Sequence, residues 1–539
     1  MSSYTAGRQI IGEKSAALGN VRLRDRHTNE IILIPAPSNF PNDPLNWSQA
    51  YKYYIATLVC LAMLVCNFLA AGPTIAIVKT AVDFFPAENP SRSVAWVAYF
   101  FTSTALVQGT GNFLWVPLAV KFGRRPVYII SYAIYLAAAL WLVFERRFAG
   151  FLLGRILLGL GSGAAETLDV FFLHERGAVM ALYTSFLSVG VAFGILIDGL
   201  IVINNSWRVI YQTASALIAL VFLLAFFTFP ETAFPRDDGD NADAQPGLEE
   251  VEAAPKGKQS IIGEQQPGII PAAQPSVSTS AKRPYLQSLR IFRGVLTEES
   301  LLKMFFRPLG LIVLPSVLWA ALVQSVTVGF LVAVTSNVAV AYSAAYGFQA
   351  WQVGLTFLAA ILGSLIGVPA GGQLGDVMAD WFTKRNGGMR SPEMRLPAMT
   401  LSLITTPLAL VLYGVGIEKR LHWICPTIGL GLLNFSITQA TNICLVYVID
   451  AYRPIAGEVT LAVLGFKSLF GFLLSFYTNP WVKEAGYLNA YGTMAAIAAG
   501  VLLLWLPLYF WGNTLRQRTW RWGLISSHVH WMSDRSVGE

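Results

Sequence analysis

The stretch Val120–Tyr128 reads VKFGRRPVY; it joins two long apolar runs and puts three cationic side chains within five positions. A second stretch, Gly371–Asp376, reads GGQLGD; it also closes an apolar run, and it carries an acid but no arginine. What these turns connect decides the fold. The 539 residues are 55% hydrophobic and 13% charged, with a mean hydropathy of +0.54. A water-soluble globule carries about 25% charged residues, so most of this chain faces lipid. An apolar run of about 20 residues crosses a bilayer as one helix. Working outward from the two turns, such runs lie at 54–76, 94–118, 127–144, 148–170, 178–203 and 209–228, and again at 309–334, 352–372, 396–416, 423–449, 459–482 and 487–512. The expectation is an all-α membrane protein of twelve spans in two blocks of six.

The boundary between the blocks is compositional. Residues 236–281 read RDDGDNADAQPGLEEVEAAPKGKQSIIGEQQPGIIPAAQPSVSTSA, too poor in apolar side chains to offset the entropy of folding, and are read as a disordered linker. The next piece, RPYLQSLRIFRGVLTEESLLKMFF (283–306), alternates basic and apolar residues. It is expected to lie along the membrane surface, against the alternative of a plain soluble helix, with Thr297 as the N-cap. The organisation is then a tail over 1–51, a first bundle over 52–232, a linker over 233–303, a second bundle over 304–512 and a tail over 513–539.

Cationic side chains are retained on the cytoplasmic side of a membrane. With both termini inside, 28 of the 38 Lys and Arg fall in inner segments, 8 in outer loops and 2, Arg155 and Lys467, within spans. The polar N-terminal 51 residues lack the order of a cleaved signal peptide. All four cysteines, Cys60, Cys66, Cys425 and Cys444, lie in spans, where a thiol acts as a small hydrophobe.

In this layout VKFGRRPVY connects spans 2 and 3, and GGQLGD opens the connection between spans 8 and 9: equivalent places in two repeats. Repeats on that scale mark secondary transporters whose halves rock about a midplane site. The chain resembles a twelve-helix member of the major facilitator superfamily, and in detail the fungal branch related to drug:proton antiporters. The signature between helices 2 and 3 of that family is roughly G-x-L-a-D-r-x-G-R-R. The first copy supplies Leu118, Gly123, Arg124 and Arg125 but has Val116 and Val120 where Gly and Asp belong; the second supplies Gly372, Leu374, Gly375 and Asp376 but has Ala379 and no Arg pair. Further stretches similar to the fungal branch are NDPLNWS (42–48), FFLHERG (171–177), FPET (229–232), RNGGMRSPEMRL (385–396), DAYRPIAGE (450–458) and TNPW (478–481).

The resemblance implies roles for particular residues. Gly123, Arg124 and Arg125, with Asp169, Glu175 or Glu231 as partners, and Gly372 with Asp376, facing Arg395 or Lys384, are candidate latches of a conformational gate; the alternative for GRR is a plain positive anchor. Arg155, in GRILLGLGSG (154–163), matches the helix 4 signature whose Arg is associated with proton coupling, against a static hydrogen-bonding strut. In helix 5, SVGVAFGILIDGLIV aligns with an antiporter signature at Gly190, Gly194 and Gly199. There Ile195 replaces the signature's proline and Asp198 a glycine, so Asp198 is either a proton or cation site or an outer-interface residue. Glu166 is a further coupling candidate. The short spacer from Glu166 to His174 predicts that helix 4 ends near Leu168. Lys467 is either a coupling or substrate residue or a lysine reaching the inner surface.

Ionisable groups inside a membrane usually face a cavity or a partner, and amides there seek interhelical hydrogen bonds. Candidates for the cavity lining are Asn67, Gln108 and Asn112 in the first block, and Trp319, Gln324, Asn434, Gln439, Asn442 and Tyr447 in the second. Such a mostly apolar lining suits a hydrophobic or amphipathic organic molecule. No G-x-x-x-x-G-K-[ST] loop is present, so no ATP-driven pump is indicated. The scattered histidines His27, His174, His422, His528 and His530 offer no metal site, and no nucleophile–base cluster of an enzyme can be assembled. The net charge of +7 is accounted for by inner loops, not nucleic acid. The expected function is proton-coupled efflux of a small fungal metabolite or toxicant by a monomer without cofactor, in the plasma membrane or else the vacuolar membrane. The alternatives are an importer of a small organic or polyamine-like solute, and a non-transporting receptor on the same fold.

Overall fold

Helices form because every main-chain N–H and C=O must be paired internally where lipid is the solvent. A computed structural model describes residues 21–22, 43–86, 90–163, 173–233, 289–292, 294–297, 299–520 and 522. The first bundle contains α1 (Gln49–Ala71), α2 (Ile77–Phe84), α3 (Pro90–Thr110), α4 (Asn112–Phe122), α5 (Arg124–Phe144), α6 (Phe148–Ser162), α7 (Leu173–Ile201) and α8 (Arg208–Thr228). A surface helix, α9 (Leu301–Leu311), leads into the second bundle. There follow α10 (Pro315–Tyr346), α11 (Ala350–Gly371), α12 (Gln373–Arg385), α13 (Thr400–Glu418), α14 (Ile424–Ala451), α15 (Ala456–Leu503) and α16 (Trp505–Trp520).

Among the described residues nine helical stretches are long and apolar enough to cross a membrane. One of them, Ala456–Trp520, holds two passes, because Gly486 at φ 80° breaks α15 at a point where an L side chain would be strained. The shorter apolar α6 and the pair α3–α4, which parts at Gly111, are consistent with the remaining two passes. The described residues are thus consistent with the expected twelve passes in two groups of six.

Two departures from the sequence expectation are local. The surface helix starts at Leu301, with Ser300 in the N-cap position, so Thr297 does not cap it. Thr297 Oγ1 accepts instead from Glu299 N at 3.4 Å, in a turn held by Leu296 N donating to Lys121 O at 2.8 Å. That anchor keeps Leu296, Thr297 and Glu299 out of the helix. The second departure is in the first span, which is not one helix: a 3-10 stretch, Gly72–Ala76, separates α1 from α2. Pro73 has no N–H to give to Leu69 O, so α1 loses an intrahelical bond at that place. The expected early end of helix 4 near Leu168, with Glu166 and Asp169, lies outside the described residues.

A large apolar core runs through both bundles, and a second core in the second bundle centres on Trp319, Leu396, Tyr447 and Trp505. The bundles meet along α7 and α11 on one seam and along α3–α4 and α15 on the other. Val21–Arg22 pairs antiparallel with Met389–Arg390, tying the N-terminal tail to the loop after α12. That end of the molecule, which also carries α9 and α16, is called the terminal end below.

Candidate functional site

The break in the first span is a charged site. Arg155 on α6 is fully buried. Its Nη1 donates to Leu69 O at 2.9 Å, Nη2 to Ala70 O at 3.1 Å and Nε to Phe100 O at 3.0 Å. The guanidinium thus caps the carbonyls left at the C-terminal end of α1, where the helix dipole favours a cation. It also lies over the rings of Phe101 and Tyr211, at 5.1 and 6.0 Å from the centroids.

Asp198 on α7 sits at the same break. It is fully buried, and neither carboxylate oxygen has a hydrogen-bond partner among the described residues. It faces α1, since a Cβ at Gly72 would strike its Oδ2, and only a glycine permits that approach. Arg155 is the cation whose charge it feels; Tyr211 shares the site. One turn further on, Lys79 of α2 donates to Val202 O at 2.7 Å, joining the second piece of the first span to the end of α7. The geometry therefore turns Asp198 toward helix 1 and not toward lipid or the outer interface.

The seam between the bundles carries a neutral polar chain. Ser188 Oγ of α7 donates to Asn434 Oδ1 of α14 at 2.6 Å, and Ser364 Oγ of α11 donates to Ser188 Oγ at 2.8 Å. All three side chains are buried. Asn434 is one of the expected lining residues; Ser188 and Ser364 were missed, because a hydroxyl in a small-residue stretch such as ILGSLIG reads as packing. Gln324, fully buried on α10, lies beside Cys444, and Lys467 on α15 is electrostatically coupled to the same cysteine. The half-buried Lys467 thus sits next to the interior of the second bundle.

The remaining expected lining residues are spread through helix contacts. Asn67 donates to Met63 O, one turn back along α1, and Asn112, at the start of α4, donates across the Gly111 break to Gln108 O of α3. Gln439 donates to Ala398 O at 2.7 Å and accepts from Ser402. Asn442 is buried against α11. Trp319 donates to Val501 O at 3.2 Å and stands edge-on to Tyr447, which is hydrogen-bonded to Ser316 at 3.2 Å. That pair sits inside the second bundle and not at the seam.

Both charged turns are built, each within its own bundle. Gly123 takes φ 95°, which a side chain would strain, and so starts α5 sharply. Glu231 then accepts from Arg124 N at 2.9 Å and Arg125 N at 3.2 Å, filling the N-terminal donors of α5. Arg125 returns the favour by donating to Phe226 O at 2.7 Å and to Phe229 O at the end of α8. In the second copy Arg395 pairs with Asp376 at 2.6 Å, and Arg390 lies 3.5 Å from Asp376 and 3.3 Å from Asp380. Burial, and then the neighbouring Arg395 charge, lower the pKa of Arg390 from its ordinary value.

Two packed groups of membrane-crossing helices, a broken first span and paired interhelical turns point to a secondary transporter fold. The chain matches the Major Facilitator Superfamily over residues 57–475 and belongs to it; it is a multi-pass membrane transporter. It is 26% identical to an uncharacterized MFS-type transporter of Schizosaccharomyces pombe, over 91% of this chain and 89% of that one. It is 24% identical to a probable efflux pump of Aspergillus flavus, over 80% of this chain and 97% of that one. The fold is similar to the crystal structure of a human organic anion transporter, with a TM-score of 0.52 and 16% identity over 84% of this chain and 99% of that one.

Proposed function

We propose that the protein is a proton-coupled exporter of a small hydrophobic or amphipathic organic compound. The observation that carries this reading is Asp198: a carboxyl group buried in a span, without a hydrogen-bond partner among the described residues, and packed on the break of helix 1. A buried charge without a partner is costly, and taking up a proton removes that cost. Loading and unloading of Asp198 would thus change how tightly α7 holds α1. Arg155, bound to three carbonyls, keeps the break in place while the proton comes and goes. Support for a weakly polar cargo comes from the neutral Ser188–Asn434–Ser364 chain and from aromatic pairs at the seam such as Tyr99–Phe476, at 5.2 Å. Support for export comes from relatives such as the probable efflux pump. The terminal end is assigned to the cytoplasm by its excess of Lys and Arg, and the membrane to the plasma membrane.

The test is uptake of amphipathic compounds into inside-out vesicles, with and without a pH gradient, for the native protein and Asp198→Asn. Accumulation that needs the gradient, and that becomes gradient-independent exchange in Asp198→Asn, is the expected result. Unaltered gradient dependence in that variant would end the coupling role of Asp198.

A further inference from the structure

Between the linker and the second bundle, the described residues of the stretch that ends in α9 (292, 294–297 and 299–311) touch both halves at the terminal end. On the first-bundle side, Leu296 N donates to Lys121 O at 2.8 Å and Lys121 Nζ donates to Glu299 O at 3.0 Å. The rings of Phe292 and Phe305 lie 6.2 and 5.9 Å from those of Phe122 and Phe113 on α4. On the second-bundle side, Arg307 is clamped between Glu299 at 3.1 Å and Glu458 of α15 at 2.9 Å. The three side chains are no more than 10% exposed. Although burial works against its charge, the two carboxylates raise the pKa of Arg307 above its ordinary value. A continuous path, Lys121–Glu299–Arg307–Glu458, therefore fastens α4 to the start of α15. Together with α3 those two helices form one seam between the halves, where Phe113 of α4 covers Gly465 and Gly109 of α3 is pressed on Ser468.

The opposite face of α9 has another chemistry. Leu302, Phe306 and Leu309 are 71%, 59% and 52% exposed, and Phe305 completes the i, i+3, i+4, i+7 stripe. Only three residues, 312–314, separate α9 from Pro315, which opens α10, a membrane pass, so the stripe is held level with the end of the apolar belt and runs on into exposed Val313 and Leu318. Lys303 is exposed at its flank. An apolar stripe fixed at that depth is the face of a helix lying in the plane of the membrane interface.

We propose that α9, with Glu299 and the Leu296 anchor ahead of it, is a membrane-seated strap. The Leu302–Phe305–Phe306–Leu309 stripe is embedded in the lipid leaflet at the terminal end, and the Glu299–Arg307–Glu458 face holds the α4–α15 seam shut. The seam opens only when the clamp lets go, and the leaflet sets where the strap sits.

The test uses the full chain in nanodiscs, once the native thiols have been shown not to react. A fluorophore on Phe306→Cys should be quenched by lipids brominated in their acyl chains and protected from aqueous iodide. A thiol at Ser468→Cys reports the seam. Its labelling by a water-soluble maleimide should speed up on the order of fivefold, the factor that corresponds to about 1 kcal/mol, in Arg307→Gln and in Glu299→Gln. Glu299→Gln leaves Arg307 its second carboxylate and so guards against a misfolded Arg307 variant. Quenching of the label by iodide, or an unchanged rate in both clamp variants, overturns the proposal.

Discussion

Glu231 shows what one carboxylate does at a helix start. It takes two main-chain N–H groups of α5 at 2.9 and 3.2 Å, so Glu231→Gln keeps the shape and loses the charge at the positive end of the dipole. Loss of an N-cap contact costs about 0.5–2 kcal/mol. A lower midpoint in a thermal melt of the purified protein is expected, with insertion unchanged; an identical melt would mean that water caps α5 equally well. Glu145 acts in the same way in the α5–α6 turn. The Arg147 N–H first, then the Trp141 indole and the Arg146 N–H, hold its pKa below the ordinary 4.5. A carboxylate lowered by folding stabilises fully above its unfolded value and stops doing so as the pH falls through its folded one. Amide exchange at Arg146 and Arg147 should therefore gain protection between those two limits as the pH rises, after correction for intrinsic exchange; equal protection on both sides would remove Glu145 from the turn.

At the scale of the element, the break of the first span rests on Arg155. Each buried carbonyl left without its donor costs about 1–3 kcal/mol, and Arg155 serves three. Arg155→Met is expected to reduce the yield of folded protein sharply, and Arg155→Lys to restore part of it, since an ammonium brings the charge but not the planar fork. Size-exclusion of detergent extracts decides this. A full yield of folded Arg155→Met without transport would instead return Arg155 to a purely coupling role. Sequence reading put Arg155 in a signature but could not choose between coupling residue and strut. Its partners lie on two other helices, as far as 86 positions away, and no local pattern encodes them.

At the scale of the whole molecule, the halves are joined at mid-height by hydroxyls. Ser188 and Ser364 have their oxygens 2.8 Å apart across the α7–α11 seam. With Ser188→Cys and Ser364→Cys together, oxidation should lock the two bundles and stop transport, and a reductant should restore it. A cross-linked protein at full activity would show that this seam does not part in the cycle. The linker predicts the opposite outcome: deletion of 237–278 should leave the melting midpoint and transport unchanged, because a chain of that composition has too little apolar surface to offset the entropy of folding. Loss of the folded protein would refute the boundary drawn from sequence.

The sequence by itself determined the solvent, the class of fold and the repeat. Runs of about 20 apolar residues admit only helices in lipid, and VKFGRRPVY and GGQLGD mark matching turns of two six-helix groups. It also nominated Arg124, Arg125 and Asp376: Arg395, one of the partners named, pairs with Asp376, whereas Glu231 accepts from the main-chain N–H groups of the two arginines. Tertiary structure alone decided direction. It turned Asp198 toward Gly72, put Trp319 and Tyr447 inside a bundle and not at the seam, and brought Ser188 to Ser364 and Arg307 to Glu458. The physical reason is the same each time. A nearly uniform apolar helix has little amphipathic signal to say which face meets which neighbour, so the rotation of each pass is fixed only when all twelve pack together.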